Sequence, residues 1–267
     1  MGLAKAFARH SAARSLRPAM EQTTYVALSR MIGLQRQTEM TAHNIANANT
    51  PGFKGSRMVF GDYLLNQHRV SQPATARTIH FVQDRATYRD HAESPKSRTG
   101  NTLDIALASD GFLAFETPRG ERFGRNGRLT LDPGGRITSS EGYPVLSTAG
   151  TPLVVAPNEQ NITIAADGTV STPNGEIGRL RVVRFEEPQK LVAEGATLFR
   201  PEEGQEPQPV AAPQVMQGMI EDSNIQPVIE LTLLMAQQRE FEFNAQLVER
   251  EGERSQQAIE RLLRRRN

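Results

Sequence analysis

The residues Thr41-Ala42-His43-Asn44-Ile45-Ala46-Asn47-Ala48-Asn49-Thr50-Pro51-Gly52-Phe53-Lys54-Gly55 run from a helical pattern into a forced stop. Pro51 has no N–H and disfavours the α region for Thr50, so a helix arriving from the N-terminal side ends at about Asn49. Gly52 can then take a positive φ, and Phe53 supplies one large apolar anchor past the break. Ile45 sits among alanines small enough to let another backbone approach closely. No side chain here pairs a nucleophile with a base, so the stretch reads as a joint and not as an active site.

The helix leading into this joint is weakly amphipathic. Ala27, Met31, Leu34, Thr38, Thr41, Ile45 and Ala48 recur at alternating spacings of four and three, a helical seam that needs a partner along its length. A second and firmer helical pattern follows Pro227, to about Arg264. Leu231, Leu234, Gln238, Phe241, Ala245, Val248, Gly252, Ser255, Ile259 and Leu262 alternate three and four apart, with Glu and Arg on the other faces. That is a coiled-coil pattern, and the polar and small residues on it fit a helix surrounded by several neighbours.

Between about residues 97 and 215 the punctuation is different. Short β-type runs such as Phe112-Leu113-Ala114-Phe115, Arg128-Leu129-Thr130-Leu131, Leu153-Val154-Val155 and Leu180-Arg181-Val182-Val183-Arg184-Phe185 are separated by Asp110-Gly111, Asn126-Gly127, Glu141-Gly142, Asp167-Gly168 and Asn174-Gly175. Asp-Gly and Asn-Gly favour tight hairpin turns, and many short strands at this spacing indicate an antiparallel barrel or sandwich. Residues 56–96 read as an extended linker with room for one short strand near Ile79-His80-Phe81-Val82, and residues 201–213 as an exit loop. The predicted fold class is α+β: terminal helices pairing as a coiled-coil domain, bracketing a central antiparallel all-β domain. The division is 1–19, 20–55, 56–96, 97–215 and 216–267.

Residues 1–19 carry Lys5, Arg9, Arg14 and Arg17 and no acid, which leaves 27 basic against 30 acidic residues elsewhere. The body therefore has no electrostatic case for nucleic acid. The basic stretch lacks the continuous apolar run of a secretory signal. It reads as a disordered arm or an unused upstream start ahead of Met20, with an organelle transit peptide a looser fit. There is no cysteine, which excludes disulfides and thiol chemistry. No apolar run has the length to insert in a membrane. His10, His43, His68, His80 and His91 show no metal-ligand spacing, and no Gly-x-Ser-x-Gly elbow exists. The expectation is a non-enzyme with no cofactor and no metal.

At this point the residues resemble a known family, the rod and hook proteins of the bacterial flagellum. The helix-stop stretch matches its N-terminal signature, with His43 where members commonly have Asn. Further pieces follow in family order: Thr99-Gly100-Asn101-Thr102-Leu103-Asp104, Asp110-Gly111-Phe112, Arg125-Asn126-Gly127, Glu141-Gly142-Tyr143-Pro144, Glu221-Asp222-Ser223-Asn224-Ile225-Gln226-Pro227 and Gln238-Arg239-Glu240-Phe241-Glu242. Tyr25-Val26-Ala27-Leu28-Ser29 and Ala258-Ile259-Glu260-Arg261-Leu262 look most like the F-type, proximal-rod branch, with the G-type distal rod as alternative.

The resemblance implies a structural subunit of the basal-body rod that self-associates and meets other rod and hook proteins. It also implies passage through the flagellar type III export apparatus without a cleaved signal, to a rod spanning the periplasm. It implies an assembly role for Asn44, Ile45, Asn47, Asn49, Pro51, Gly52, Phe53, Ser223, Asn224, Leu231, Leu234, Gln238, Arg239, Phe241, Val248, Ile259 and Leu262. For the asparagines a cap within the subunit is the other reading. From outside the family, a secreted carbohydrate-binding β domain with oligomerisation helices is the remaining alternative, and the absence of Trp counts against it.

Overall fold

A computed structural model of the chain describes residues 3–66, 78–108, 110–156, 159 and 161–264. The chain divides into two compact units. One comprises Met1–Ala42, Arg57–Tyr88 and Val228–Asn267, and the other His43–Ser56 with Arg89–Pro227.

In the first unit two long helices dominate, α1 (Leu3–Ala46) and α2 (Pro227–Arg264). Helix α1 reaches back through the basic stretch that composition alone assigns to a disordered arm. Alanine, leucine and arginine are strong helix formers, and that propensity outweighs the missing apolar face. Along α1 the expected seam holds, with Ala27, Leu34 and Thr41 buried and seven apart, and Met31 and Thr38 half-buried between them.

On α2 the fully buried residues are Glu230, Gln237 and Asn244, whereas of the anticipated seam Leu234, Ala245, Val248 and Ser255 are half-buried and Leu231 and Gln238 exposed. Polar partners decide this. Gln237 Nε2 donates to Thr41 Oγ1 at 3.1 Å, Arg30 pairs with Glu240, and Arg57 holds the fully buried Glu230 at 2.6 Å. The two helices thus pack together through a largely polar contact. Leu231, Met235 and Phe243 are left exposed.

The expected linker is also more ordered than its polar composition implies. Its two halves, Ser56–Asn66 and Thr78–Arg89, pair as a two-stranded sheet. Gln72-Pro73-Ala74-Thr75-Ala76 lies outside the described residues.

The second unit is the antiparallel β region. Its largest sheet runs Val192–Glu194, Leu198–Arg200, Gly120–Gly124, Phe112–Thr117, Val182–Arg184 and Gln208–Pro209 in spatial order. Period-two geometry explains the unbroken apolar run at its centre. Leu113 and Phe115 enter the larger core with Ile105, Leu129, Ile137 and Leu180, whereas Phe112 and Ala114 face a second cluster with Phe123, Phe185 and Phe199. The exit loop supplies the edge strand Gln208–Pro209, and an edge is where proline is tolerated. The Leu153-Val154-Val155 run makes only single bridges to its neighbours. Two short pairs complete the unit: Val215–Gln217 on Ile105–Leu107, and Met219–Glu221 on Lys96–Arg98.

Candidate functional site

The second unit builds its most heavily buried polar site where α1 stops. After Ala46 the chain turns, with the Thr50 N–H donating to the Asn47 carbonyl at 3.1 Å and the Phe53 N–H to that of Thr50 at 3.2 Å. Gly52 takes φ +66°, as the proline-glycine order requires. A Cβ there would lie 2.4 Å from the carbonyl carbon of Arg125 and 2.5 Å from the Asn126 nitrogen, so glycine is needed for space as well as conformation. Phe53 is wholly buried, its ring 5.6 Å from that of His43. Asn44, also buried, clamps the far side of the turn. Its Nδ2 donates to the Ser56 carbonyl at 3.0 Å, and its Oδ1 accepts the Ser56 N–H at 3.1 Å.

Behind the turn lies one buried carboxylate shared by two buried cations. Glu221 Oε1 accepts from Lys54 Nζ at 2.7 Å and from the Ser94 N–H at 3.1 Å, while Oε2 accepts from Arg125 Nε at 2.7 Å. Lys54 also donates to the Ala92 carbonyl and to Ser94 Oγ, and Arg125 Nη1 to the Gly111 carbonyl at 2.9 Å. The three side chains are 0%, 3% and 1% exposed for Lys54, Arg125 and Glu221. Burial pushes the Lys54 ammonium below the usual lysine range, against the opposing pull of the hydrogen bond and charge of Glu221. The backbone joins in, with the Gly52 N–H donating to the Glu221 carbonyl at 2.8 Å.

Arg125 is held in place by the residues after it. Asn126 Oδ1 accepts the Arg128 N–H at 3.1 Å, and Gly127 packs so tightly that a Cβ would fall 1.8 Å from the Ile105 oxygen. The Asn126-Gly127 pair is therefore chosen for close approach. At Gly142, Gly168 and Gly175 the expected positive φ is present, and at Gly111 and Gly127 it is not.

His91 borders this cluster, 5.9 Å from the Phe112 ring and 5.4 Å from that of Phe199. Both its ring nitrogens are buried without a hydrogen-bond partner among the described residues. Burial, with Arg89, Lys54 and Arg125 nearby, pushes its pKa down to about 4. An unfolded chain binds a proton near pH 6.5 that the folded chain refuses. The stability contribution is therefore complete above pH 6.5 and lost as the pH falls towards 4, by about 3 kcal/mol. Urea titrations at pH 7, 5.5 and 4.5 should show that His91→Leu has a flatter profile than the wild type by about this amount. Parallel profiles would rule His91 out as the source.

The anticipated assembly residues fall into two groups. Asn44, Pro51, Gly52 and Phe53 are buried within their own unit, and Ile45 and Asn47 are half-buried. Asn47 Nδ2 caps the His43 carbonyl at 2.9 Å, and Asn49 is exposed. Ser223 Oγ accepts the Ile225 N–H at 3.2 Å, and Asn224 Oδ1 accepts the Gly55 N–H at 2.8 Å. On α2, Leu231, Gln238, Arg239, Phe241 and Ile259 are exposed, and Leu234 and Val248 half-buried. The Leu262 side chain lies outside the described residues. Lys54, Arg125 and Glu221 are not among the residues that the sequence marks for assembly. The available signal was that each motif quoted for the turn, the hairpin and the return segment carries a charged residue.

A turn with an anchor, a clamp and a closed ion cluster is structural machinery. Among the described residues no group of His, Cys, Asp or Glu is arranged to hold a metal ion, and no helix is long and apolar enough to cross a membrane. Three family models match: "Flagella basal body rod protein" over 25–54, "Flagellar hook protein FlgE/F/G D1 domain" over 106–172, and "Flagellar basal body rod FlgEFG protein C-terminal" over 216–261. Each contributes one member of the cluster: Lys54, Arg125 and Glu221 respectively.

The chain belongs to the flagellar rod and hook family, as a non-catalytic structural subunit of the basal-body rod. Within it the similarity is to the F-type proteins. The flagellar basal-body rod protein FlgF of Caulobacter vibrioides is 36% identical over 249 residues, covering 91% of this chain and 98% of that protein. FlgF of Mesorhizobium japonicum is 32% identical over 246 residues with the same coverage. The rod protein FlgG of Borreliella burgdorferi is 29% identical over 255 residues, 86% of this chain and 94% of that protein.

Proposed function

We propose that this chain is the proximal-rod subunit, exported through the flagellar type III apparatus and stacked helically with copies of itself and with adjoining rod and hook proteins across the periplasm. Its terminal helices pair in coiled-coil fashion and supply the contacts between subunits. The ion cluster at the end of α1 fixes where the helix stops and in which direction the chain leaves. The observation that carries this reading is the convergence of three family-matched segments on Glu221. The exposed apolar side chains of α2, Leu231, Met235 and Phe243 among them, supply surface for neighbouring helices.

Deleting the gene and examining purified basal bodies tests it. The expected result is loss of swimming and of the rod beyond its innermost part. Normal rods with normal swimming would sink the assignment. An intact proximal rod with only its distal portion missing would move the chain to the distal position.

A further inference from the structure

The segment His43–Ser56 belongs to the same unit as Arg89–Pro227, yet the chain before it and the chain after it, Arg57–Tyr88, belong to the other unit. In the β unit this segment therefore behaves as a docked peptide tethered only at its ends. It is bound as peptides are bound elsewhere, with main-chain hydrogen bonds for affinity and pockets for alternate side chains. The Gly52 N–H meets the Glu221 carbonyl at 2.8 Å, the Asp90 N–H meets the Gly55 carbonyl at 3.0 Å, and the Gly55 N–H meets Asn224 Oδ1 at 2.8 Å. Phe53 is wholly buried, and Lys54 is buried against Glu221.

We infer that the groove formed by Arg89–Pro227 is a peptide-binding site that accepts the Thr50-Pro51-Gly52-Phe53-Lys54-Gly55 segment of a second copy of this chain. The same residues supplied in trans satisfy the same hydrogen bonds, anchor and ion pair. Only the tether distinguishes the two arrangements, and exchange of an identical element between protomers is a low-cost route to association. In dilute solution the tether raises the effective concentration of a chain's own segment, so the chain fills its own groove. Where copies are held side by side, a neighbour's segment competes on comparable terms.

Two full-length variants test this. Phe53→Asp disables the segment and leaves the groove, whereas Glu221→Lys disables the groove and leaves the segment. Each alone should elute as a monomer with a lowered melting transition. Mixed in equal amounts, they should form a heterodimer with a recovered transition, because one intact groove meets one intact segment. A mixture that elutes as monomers and melts as the sum of its parts overturns the proposal, whether or not the separate variants are well folded.

A labelled synthetic peptide of residues 43–56, titrated into Phe53→Asp, gives an independent reading. Binding should saturate, and the same peptide with Gly52→Ala should bind at least about tenfold more weakly. Equal binding of both peptides, or of neither, counts against the groove as the receptor.

Discussion

Glu221→Gln should destabilise the β unit by about 3–5 kcal/mol, because it leaves two buried cations without a counter-charge. Glutamine has the shape of the residue it replaces, so no cavity forms. Its amide, however, keeps only one acceptor oxygen, so one of Lys54 and Arg125, each now 2.7 Å from a carboxylate oxygen, meets an N–H donor instead. Lys54→Met is the informative companion. It removes one cation and leaves Arg125 and Glu221 as a balanced pair, at the cost of unmet hydrogen bonding at the Ala92 carbonyl and Ser94 Oγ. That loss should be about 1–2 kcal/mol. Urea unfolding followed by far-ultraviolet circular dichroism at pH 7 gives both numbers. Equal losses would show that the cluster works by packing and not by charge. A domain of this size has roughly 5–15 kcal/mol of stability in all, so the Glu221→Gln protein should also accumulate poorly and fail to build rods.

The end of α1 was legible because its determinants are local and covalent. Pro51 restricts its own backbone and that of Thr50 whatever surrounds them, Gly52 admits the positive φ that follows, and the helix stops three residues short of the predicted Asn49. The seam of α1 was legible for a related reason, since apolar spacing within one helix defines a face. The seam of α2 was legible only in part: Leu234, Ala245, Val248 and Ser255 are half-buried, but the fully buried row one position away is chosen by Thr41 and its neighbours on the other helix, which no pattern internal to α2 contains. Several strands were missed where glycine and charge depress β propensity. Gly120–Gly124 and Gly175–Arg179 are strands because neighbouring strands pair with them.

The ion cluster was the least visible feature. Lys54 and Arg125 reach Glu221 across 167 and 96 residues of sequence, and nothing local to a lysine or glutamate marks it for burial. Charged residues of these types are almost never fully buried unless paired, so a reading of one segment at a time puts them in solvent. The asparagines illustrate the same limit in reverse. Asn44 could be recognised as important from its place before the stop, but its partner, the main chain of Ser56, is defined only once the turn is closed.

Gly52→Ala should cost about 3 kcal/mol or more, and Gly100→Ala about 1 kcal/mol, although both glycines have positive φ. At Gly100, φ is +77° and an added Cβ meets nothing within 4 Å. The penalty there is the intrinsic one for an L-residue in the left-handed region, about 1–2 kcal/mol. At Gly52, φ is +66°, and the added Cβ also meets main-chain atoms of Arg125 and Asn126 at 2.4–2.5 Å. Backbone cannot step aside as a flexible side chain can, and overpacking of this kind costs about 1–3 kcal/mol more. Relief would require moving the Arg125 main chain, which carries the guanidinium bonded to Glu221 at 2.7 Å and to the Gly111 carbonyl at 2.9 Å. The strain is thus transmitted into the ion cluster, and the Gly52→Ala loss should shrink in a Glu221→Gln background where that cluster is already broken. A double-mutant cycle measured by urea unfolding reads this coupling. Additive losses, or a Gly52→Ala protein no less stable than Gly100→Ala, would mean that the turn and the cluster are independent.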